Sequence, residues 1–182
     1  MYVTTGSAKG RKLKSVPGDT TRPVTDMVKQ AVFNILMDDV IGTRWLDLFA
    51  GTGAVSIEAL SRGAHEAVLI DGAPAAITTI KDNLRTTGLD GKAKAIRFDA
   101  FKYIAARPNQ AFDYVYVAPP QYQGLWSRML LLIDDNIGWL SEKGTTIVQI
   151  DPKEYVPLEL QHLALGDERR YSNTLILFYD RI

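Results

Sequence analysis

The chain has 182 residues, 46% hydrophobic and 23% charged, with 14 glycines and 8 prolines; this fits one globular domain with a short appendage and excludes collagen, coiled coil and wholesale disorder. Lys plus Arg number 21 and Asp plus Glu 21, so the bulk cationic footprint of a nucleic-acid binder is missing. With no cysteine, disulfides, thiolate metal sites and cysteine nucleophiles are excluded as well.

The charge is unevenly spread. Residues 1–30 carry Lys9, Arg11, Lys12, Lys14, Arg22 and Lys29 against Asp19 and Asp26. This basic end suits an arm for phosphates. No apolar run approaches the ~20 residues of a membrane helix, and no basic-then-apolar leader opens the chain, so the cytoplasm is the expected compartment.

In chain order, Tyr2–Thr5 and Arg11–Val16 pattern as a hairpin turning over Gly6–Gly10, and Pro17-Gly18-Asp19 ends it. Arg22-Pro23 opens a helix capped by Thr25 or Asp26, with Val24, Val28, Val32, Ile35 and Leu36 on one face. Trp45–Ala50 is a short apolar run, the signature of a buried strand. Gly51-Thr52-Gly53 follows, then a helix over 54–62. Strands are predicted at 66–71, 93–98, 112–117 and 145–150. Helices are predicted at 74–85, 100–106 and 122–137. Residues 160–165 and 174–179 read as closing strands around a polar turn at Gly166-Asp167-Glu168. Trp126, Trp139, Tyr114 and Tyr116 read as core. Alternating strands and helices predict a three-layer, doubly wound α/β fold. Its sheet is mostly parallel, with an antiparallel C-terminal edge hairpin, a small N-terminal hairpin and a ligand crevice at the strand carboxyl ends. The expected division is 1–22 as extension and 23–182 as main domain.

The run Asp47-Leu48-Phe49-Ala50-Gly51-Thr52-Gly53 takes a strand through a glycine turn into a helix, which suits close approach of backbone and ligand. It is no dinucleotide fingerprint, because Ser56 stands where the third glycine belongs, and no Gly-Lys-Ser/Thr makes it a phosphate loop. Asp71 ends the next predicted strand, where an acid suits ribose hydroxyls. Asp99 ends the third, where an acid can meet an adenine amino group. With Asp47, these acids suit an adenosine without phosphates, such as S-adenosylmethionine. Ala118-Pro119-Pro120-Gln121-Tyr122 ends the fourth strand. Its prolines stiffen the loop and leave carbonyls free as acceptors for a base amine, and its aromatic can stack on that base. His65 and His162 are far apart in sequence, His65 reading as a surface residue and His162 as part of the edge hairpin, and no metal site is expected.

These residues resemble a known family. The glycine turn is similar to the cofactor motif of class I S-adenosylmethionine-dependent methyltransferases, whose fold is Rossmann-like. The Pro-Pro element is similar to their motif IV. Arg22-Pro23-Val24-Thr25, Val32-Phe33-Asn34-Ile35-Leu36, the glycine turn itself and Glu58-Ala59-Leu60-Ser61-Arg62-Gly63-Ala64 together resemble the RsmD-type methyltransferases, as does Gly10-Arg11-Lys12-Leu13. The resemblance runs from about residue 6 to about residue 150 and is strongest in 22–72. It implies methylation of a guanine N2 amine in small-subunit (16S) ribosomal RNA, within an assembling subunit, by a monomer. It implies Asp47, Phe49, Gly51, Thr52, Gly53, Asp71 and Asp99 at the cofactor. Ala118, Pro119, Pro120 and Tyr122 are then expected at the reacting amine, and Lys9, Arg11, Lys12, Lys14 and Arg22 on RNA. One departure matters. The family's motif IV reads Asp-Pro-Pro-Tyr, whereas here the acid position is Ala118 and Gln121 delays the tyrosine by one residue. That leaves two alternatives open: a DNA adenine-N6 methyltransferase, or a cofactor- and RNA-binding protein with weakened or lost catalysis.

Overall fold

The computed structural model describes residues 1–18 and 24–182, so the expectations placed on Asp19, Arg22 and Pro23 lie outside the described residues. Seven strands form one sheet: β1 (Arg44–Asp47), β2 (Glu66–Asp71), β3 (Ala93–Arg97), β4 (Phe112–Val117), β5 (Leu140–Ile150), β6 (Leu163–Tyr171) and β7 (Thr174–Arg181). Their order is β3-β2-β1-β4-β5-β7-β6. The first five are mutually parallel, and β7 inserts antiparallel between β5 and β6. The winding reverses between β1 and β4, and a sheet of this kind opens its crevice at that point, above the strand carboxyl ends.

Helices α1 (Asp26–Leu36), α2 (Ala54–Ser61) and α3 (Pro74–Thr87) cover one face, and α4 (Ala100–Ala105) and α5 (Leu125–Asp135) the other. Strand alternation divides the core accordingly. Trp45, Tyr116 and Ile147 point into the first layer; Leu46, Val115 and Val148 point into the second. Thr25 caps α1 by accepting the Val28 N–H at 3.2 Å. Buried Phe33 of α1 stacks on Trp45, 5.5 Å between centroids, and Trp45 packs in turn on Tyr114 and Tyr116. Among the described residues no helix is long and apolar enough to cross a membrane.

The N-terminal pairing is short. It has one antiparallel bridge, Tyr2 to Lys12, plus Val3 N–H to the Arg11 carbonyl and Gly10 N–H to the Val3 carbonyl. Val3, Ala8 and Leu13 are buried in the same cluster as Phe33 and Trp45. The segment also satisfies polar groups of α2. Thr4 N–H donates to the fully buried Glu58 carboxylate at 3.1 Å, and Ala8 N–H to Ser61 Oγ at 2.9 Å, while Ser61 Oγ donates to the Thr5 carbonyl. Lys29 is structural: its side chain is fully buried, with Nζ donating to the Tyr2 carbonyl at 2.6 Å beside Asp26.

Several element boundaries differ from expectation; β5, for one, begins at Leu140 and not at residue 145. The closing hairpin does not turn at Gly166-Asp167-Glu168. Strand β6 runs on to Tyr171, the chain reverses through Ser172 (φ 52°) and Asn173, and Gly166 marks a bulge where the register shifts. A strand on the sheet edge exposes polar side chains without ending, which is why the polar run imitated a turn. Helix α5 starts at Leu125, three residues late, because Tyr122 (φ 61°) and Gly124 (φ 65°) hold 121–124 as a loop.

Gly6 (φ 90°) lies where an added Cβ would fall 1.8 Å from the Ser61 carbonyl oxygen. Gly6→Ala is expected to cost on the order of 3–4 kcal/mol in urea unfolding. Gly10→Ala, also left-handed but facing open space, is expected to cost only about 1–2 kcal/mol.

Candidate active site

The sheet reversal opens a cleft of about 1300 Å³. That exceeds the usual range for one small ligand, roughly 300–1,000 Å³, and leaves room for a nucleobase beside a cofactor. Its floor is the end of β1. A strand paired on both edges and buried on both faces must leave upward, and the chain does so through Leu48–Ala50 into the glycine turn. Gly51 (φ 57°) and Gly53 (φ 80°) both take the left-handed region, where a side chain is strained. A Cβ on Gly51 would face open space, whereas one on Gly53 would press on Leu69 at 3.1 Å. Gly53 caps α2 and is not part of the cleft wall.

Asp47, Asp71 and Asp99 line this cleft together, Asp99 lying two residues beyond the end of β3. Asp71 ties two loops: Oδ2 accepts the Gly51 N–H and Oδ1 the Ala73 N–H, both at 2.9 Å. Each oxygen keeps a lone pair for a ligand. Asp99 caps α4 by accepting the Lys102 N–H at 2.9 Å through Oδ1. Asp47 is only 2% exposed. Ser56 Oγ donates to its Oδ2 at 3.1 Å, so the residue that breaks the dinucleotide pattern has a place of its own. Oδ1 has no hydrogen-bond partner among the described residues. Burial pushes the Asp47 pKa up to about 7; the Ser56 hydroxyl and the Phe49 backbone oppose the shift, and the Asp71 charge adds to it.

Phe49 and Thr52 also line the cleft. Phe49 meets Phe101 edge-on, 6.3 Å between centroids, and the Arg128 guanidinium covers the Phe101 ring at 4.8 Å. Across from the glycine turn, Ala118, Pro119 and Pro120 form the opposite wall. Tyr122 stands apart from it, 64% exposed. Its hydroxyl donates to Asp151 Oδ2 at 2.5 Å and its N–H to Glu154 Oε1 at 2.7 Å, which ties the loop to the end of β5. Lys9, Arg11, Lys12 and Lys14 are exposed, and Lys14 pairs with Asp82 at 3.2 Å. Arg22 lies outside the described residues. Both histidines are exposed and outside the cleft, His162 being held by Asp134. Among the described residues no three side chains form a metal-binding group.

Tyr116 and Gln149 also belong to the cleft, and Tyr116 Oη donates to Gln149 Oε1. Reading Tyr116 as plain core missed this. The available signal was a glutamine set between Val148 and Ile150 at the apolar carboxyl end of a strand.

A carboxyl whose pKa rises on folding keeps its proton to higher pH in the native state than in the unfolded chain. The native state of the ligand-free protein therefore loses stability as pH climbs from about 4 through about 7. Asp47→Asn is expected to flatten this slope and to be more stable than the parent above pH 7, by on the order of a few kcal/mol. Urea unfolding of both proteins at about pH 5 and pH 8 checks it; parallel slopes would show that Asp47 keeps its charge.

A family model described as Conserved hypothetical protein 95 matches residues 1–180. "Putative rRNA methyltransferase YlbH" of Bacillus subtilis is 37% identical over 183 residues, covering all of this chain and 99% of the relative. "Ribosomal RNA small subunit methyltransferase D" of Escherichia coli K12 is 31% identical, over 97% of this chain and 87% of that protein. Among solved structures, "Putative methyltransferase yhhF" from Escherichia coli superposes with a TM-score of 0.88 at 31% identity, over all of this chain and 97% of that one. An RNA methyltransferase from Salinibacter ruber, solved with S-adenosylhomocysteine, shares the fold at a TM-score of 0.68 and 14% identity, over 88% and 94% of the two chains. Full-length identity above 30% and a family model spanning nearly every residue leave one assignment: the chain belongs to the Conserved hypothetical protein 95 family, that of the RsmD-type methyltransferases.

Proposed function

We propose that this protein transfers a methyl group from S-adenosylmethionine to the N2 amine of a guanine in small-subunit ribosomal RNA. One observation carries the reading: these three carboxylates and the Ala118-Pro119-Pro120 wall face each other across one cleft. The names of the full-length relatives support ribosomal RNA as the substrate class.

The cleft suits the cofactor. Asp47 Oδ1, buried and without a partner, calls for a cation such as an amino acid's ammonium. Asp71 has lone pairs left for two ribose hydroxyls, and Asp99 keeps one oxygen for an adenine amine. Gly51 and Thr52 leave the approach to the turn low, while Phe49 supplies an apolar wall. When bound, the cofactor supplies a methyl on a positively charged sulfur.

The chain's own task is alignment. A guanine amine is a weak nucleophile because its lone pair is shared with the ring. Holding it in line with the methyl is worth several kcal/mol. The carbonyls of Ala118 and Pro119 accept from the amine and favour the charge it develops. Pro119 and Pro120 fix φ, so these acceptors do not need to be ordered on binding. Tyr122 would have to leave its contacts with Asp151 and Glu154 to stack on the base. Ala118 favours a second reading, binding of cofactor and RNA with slowed transfer, because an acid at that position would accept more strongly. Labelled methyl transfer to unmodified small subunits, free ribosomal RNA and duplex DNA tests both readings. N2-methylguanosine in the subunits is the expected product. N6-methyladenine in DNA, or cofactor binding with no transfer anywhere, overturns it.

Residues 1–22 serve as the RNA-contacting extension, with Lys9, Arg11, Lys12, Lys14 and Arg22 on phosphates of an assembling subunit. Replacing Lys9, Arg11 and Lys12 together by alanine is expected to weaken RNA binding. The slope of log affinity against log salt should fall by about 2–3 while cofactor affinity stays unchanged. An unchanged slope in filter binding would remove the extension from the interface.

A further inference from the structure

We propose that Gln149, held by Tyr116, reads the target base through its exocyclic amine and the unprotonated ring nitrogen beside it. This rests on the methyltransferase reading above and names the side chain that recognises the base.

The sheet register brings Gln149 to the site. Tyr116 pairs with Ile147 and Val117 with Val148, so one step further Ala118 stands beside Gln149. In strands, alternate residues share a face. Tyr116, Ala118 and Gln149 therefore look the same way as Asp47, the β1 partner of Tyr116, and all four line the cleft. Along β5 the inward position before Gln149 is the fully buried Ile147. A carboxamide continuing that row needs a reason, since a polar group here costs free energy unless it is bonded.

Tyr116 provides half of the reason. It is 1% exposed, packed 6.2 Å from Trp45 on a central strand, and its hydroxyl is directed at Gln149 Oε1. That contact orients the carboxamide. Oε1 keeps a second lone pair, and the Gln149 amide nitrogen makes no hydrogen bond among the described residues. The other half is what the adjoining loop lacks. Pro119 and Pro120 have no N–H, so these two positions offer carbonyl acceptors and no donors. Ala118 contributes only a methyl. Gln121 and Gln123 also line the cleft, but from an exposed loop rather than from a strand. Gln149 is thus the strand-mounted side chain that presents an acceptor and a donor side by side.

That pair matches a definite chemistry. Guanine shows its N2 amine next to the bare ring nitrogen N3, a donor beside an acceptor. A carboxamide meets such an edge with two parallel hydrogen bonds, Oε1 from the amine and Nε2 to the ring nitrogen. The same geometry makes glutamine and asparagine good readers of adenine, and such a pair discriminates by about 1–3 kcal/mol. Two bonds also fix the amine's direction, which alignment with the methyl requires.

The test compares Gln149→Leu, Gln149→Glu and Tyr116→Phe with the parent on unmodified small subunits, with cofactor affinity from calorimetry and melting temperature alongside. Gln149→Leu is expected to lower kcat/KM for RNA by about 5- to 150-fold with cofactor affinity unchanged. Gln149→Glu, which keeps the acceptor and loses the donor, is expected to fall at least as far. Tyr116→Phe, which frees the carboxamide without removing it, is expected to fall less. Parental kcat/KM in Gln149→Leu overturns the proposal. So does a loss that tracks cofactor affinity or melting temperature in all three variants. If the parent methylates an adenine amine instead, the guanine reading fails, and the same ratios on that substrate decide for or against Gln149. A parent that binds cofactor yet methylates nothing overturns both.

Discussion

A strand paired on both edges and buried on both faces has one way out, over its own carboxyl end. For β1 that exit is the origin of the site. Trp45 and Leu46 are fully buried in opposite layers, and β2 and β4 occupy the two edges. The chain must therefore climb and turn in very few residues, which calls for left-handed glycines. The same confinement buries Asp47 at the strand end. It also sets β2 and β4 at matching heights, so their terminal residues face one another across the cleft. Asp71 then fastens the climb, accepting the N–H of Gly51 from the neighbouring strand's end.

Much of this was legible in the order of residues. Apolar runs alternating with amphipathic ones specify a doubly wound sheet, and an acid followed by paired glycines marks the strand that turns into the cleft. What stayed hidden needed neighbours that only the sheet supplies. Gln149 acquires meaning from its register with Ala118, thirty-one residues earlier in the chain. Tyr116 follows the alternation of a core strand, and its hydroxyl signals nothing until Gln149 meets it. Lys29 counts toward the basic end in sequence, yet its ammonium is consumed by the Tyr2 carbonyl inside the protein. Gly166-Asp167-Glu168 resembled a turn because burial patterns lose their contrast on an edge strand.

The N-terminal segment and α2 depend on each other. Glu58 and Ser61 are buried polar residues of α2, and their partners are Thr4, Thr5 and Ala8. Left unpaired, such groups would each cost more than an ordinary surface contact is worth. Gly6 permits this approach by having no side chain where the Ser61 carbonyl sits. Because Gly53 caps α2, the same packing that orders the basic segment also seats the helix directly behind the glycine turn. The exposed basic residues and the glycine turn are thereby joined through one packed layer.

The bulge at Gly166 bears on the sheet's outer margins. An open sheet ends in strands with unused backbone groups, which invite another chain to pair. On β6 the shift between Leu165 and Asp167 interrupts the regular spacing of those groups. Asp167, Glu168, Arg169 and Arg170 then place alternating blocks of opposite charge along the rim. The opposite rim, β3, is five residues long and exposes Lys94 and Arg97. Both margins are thus broken or charged, and sheet-to-sheet growth into aggregates is disfavoured even though the interior strands are apolar enough to drive it.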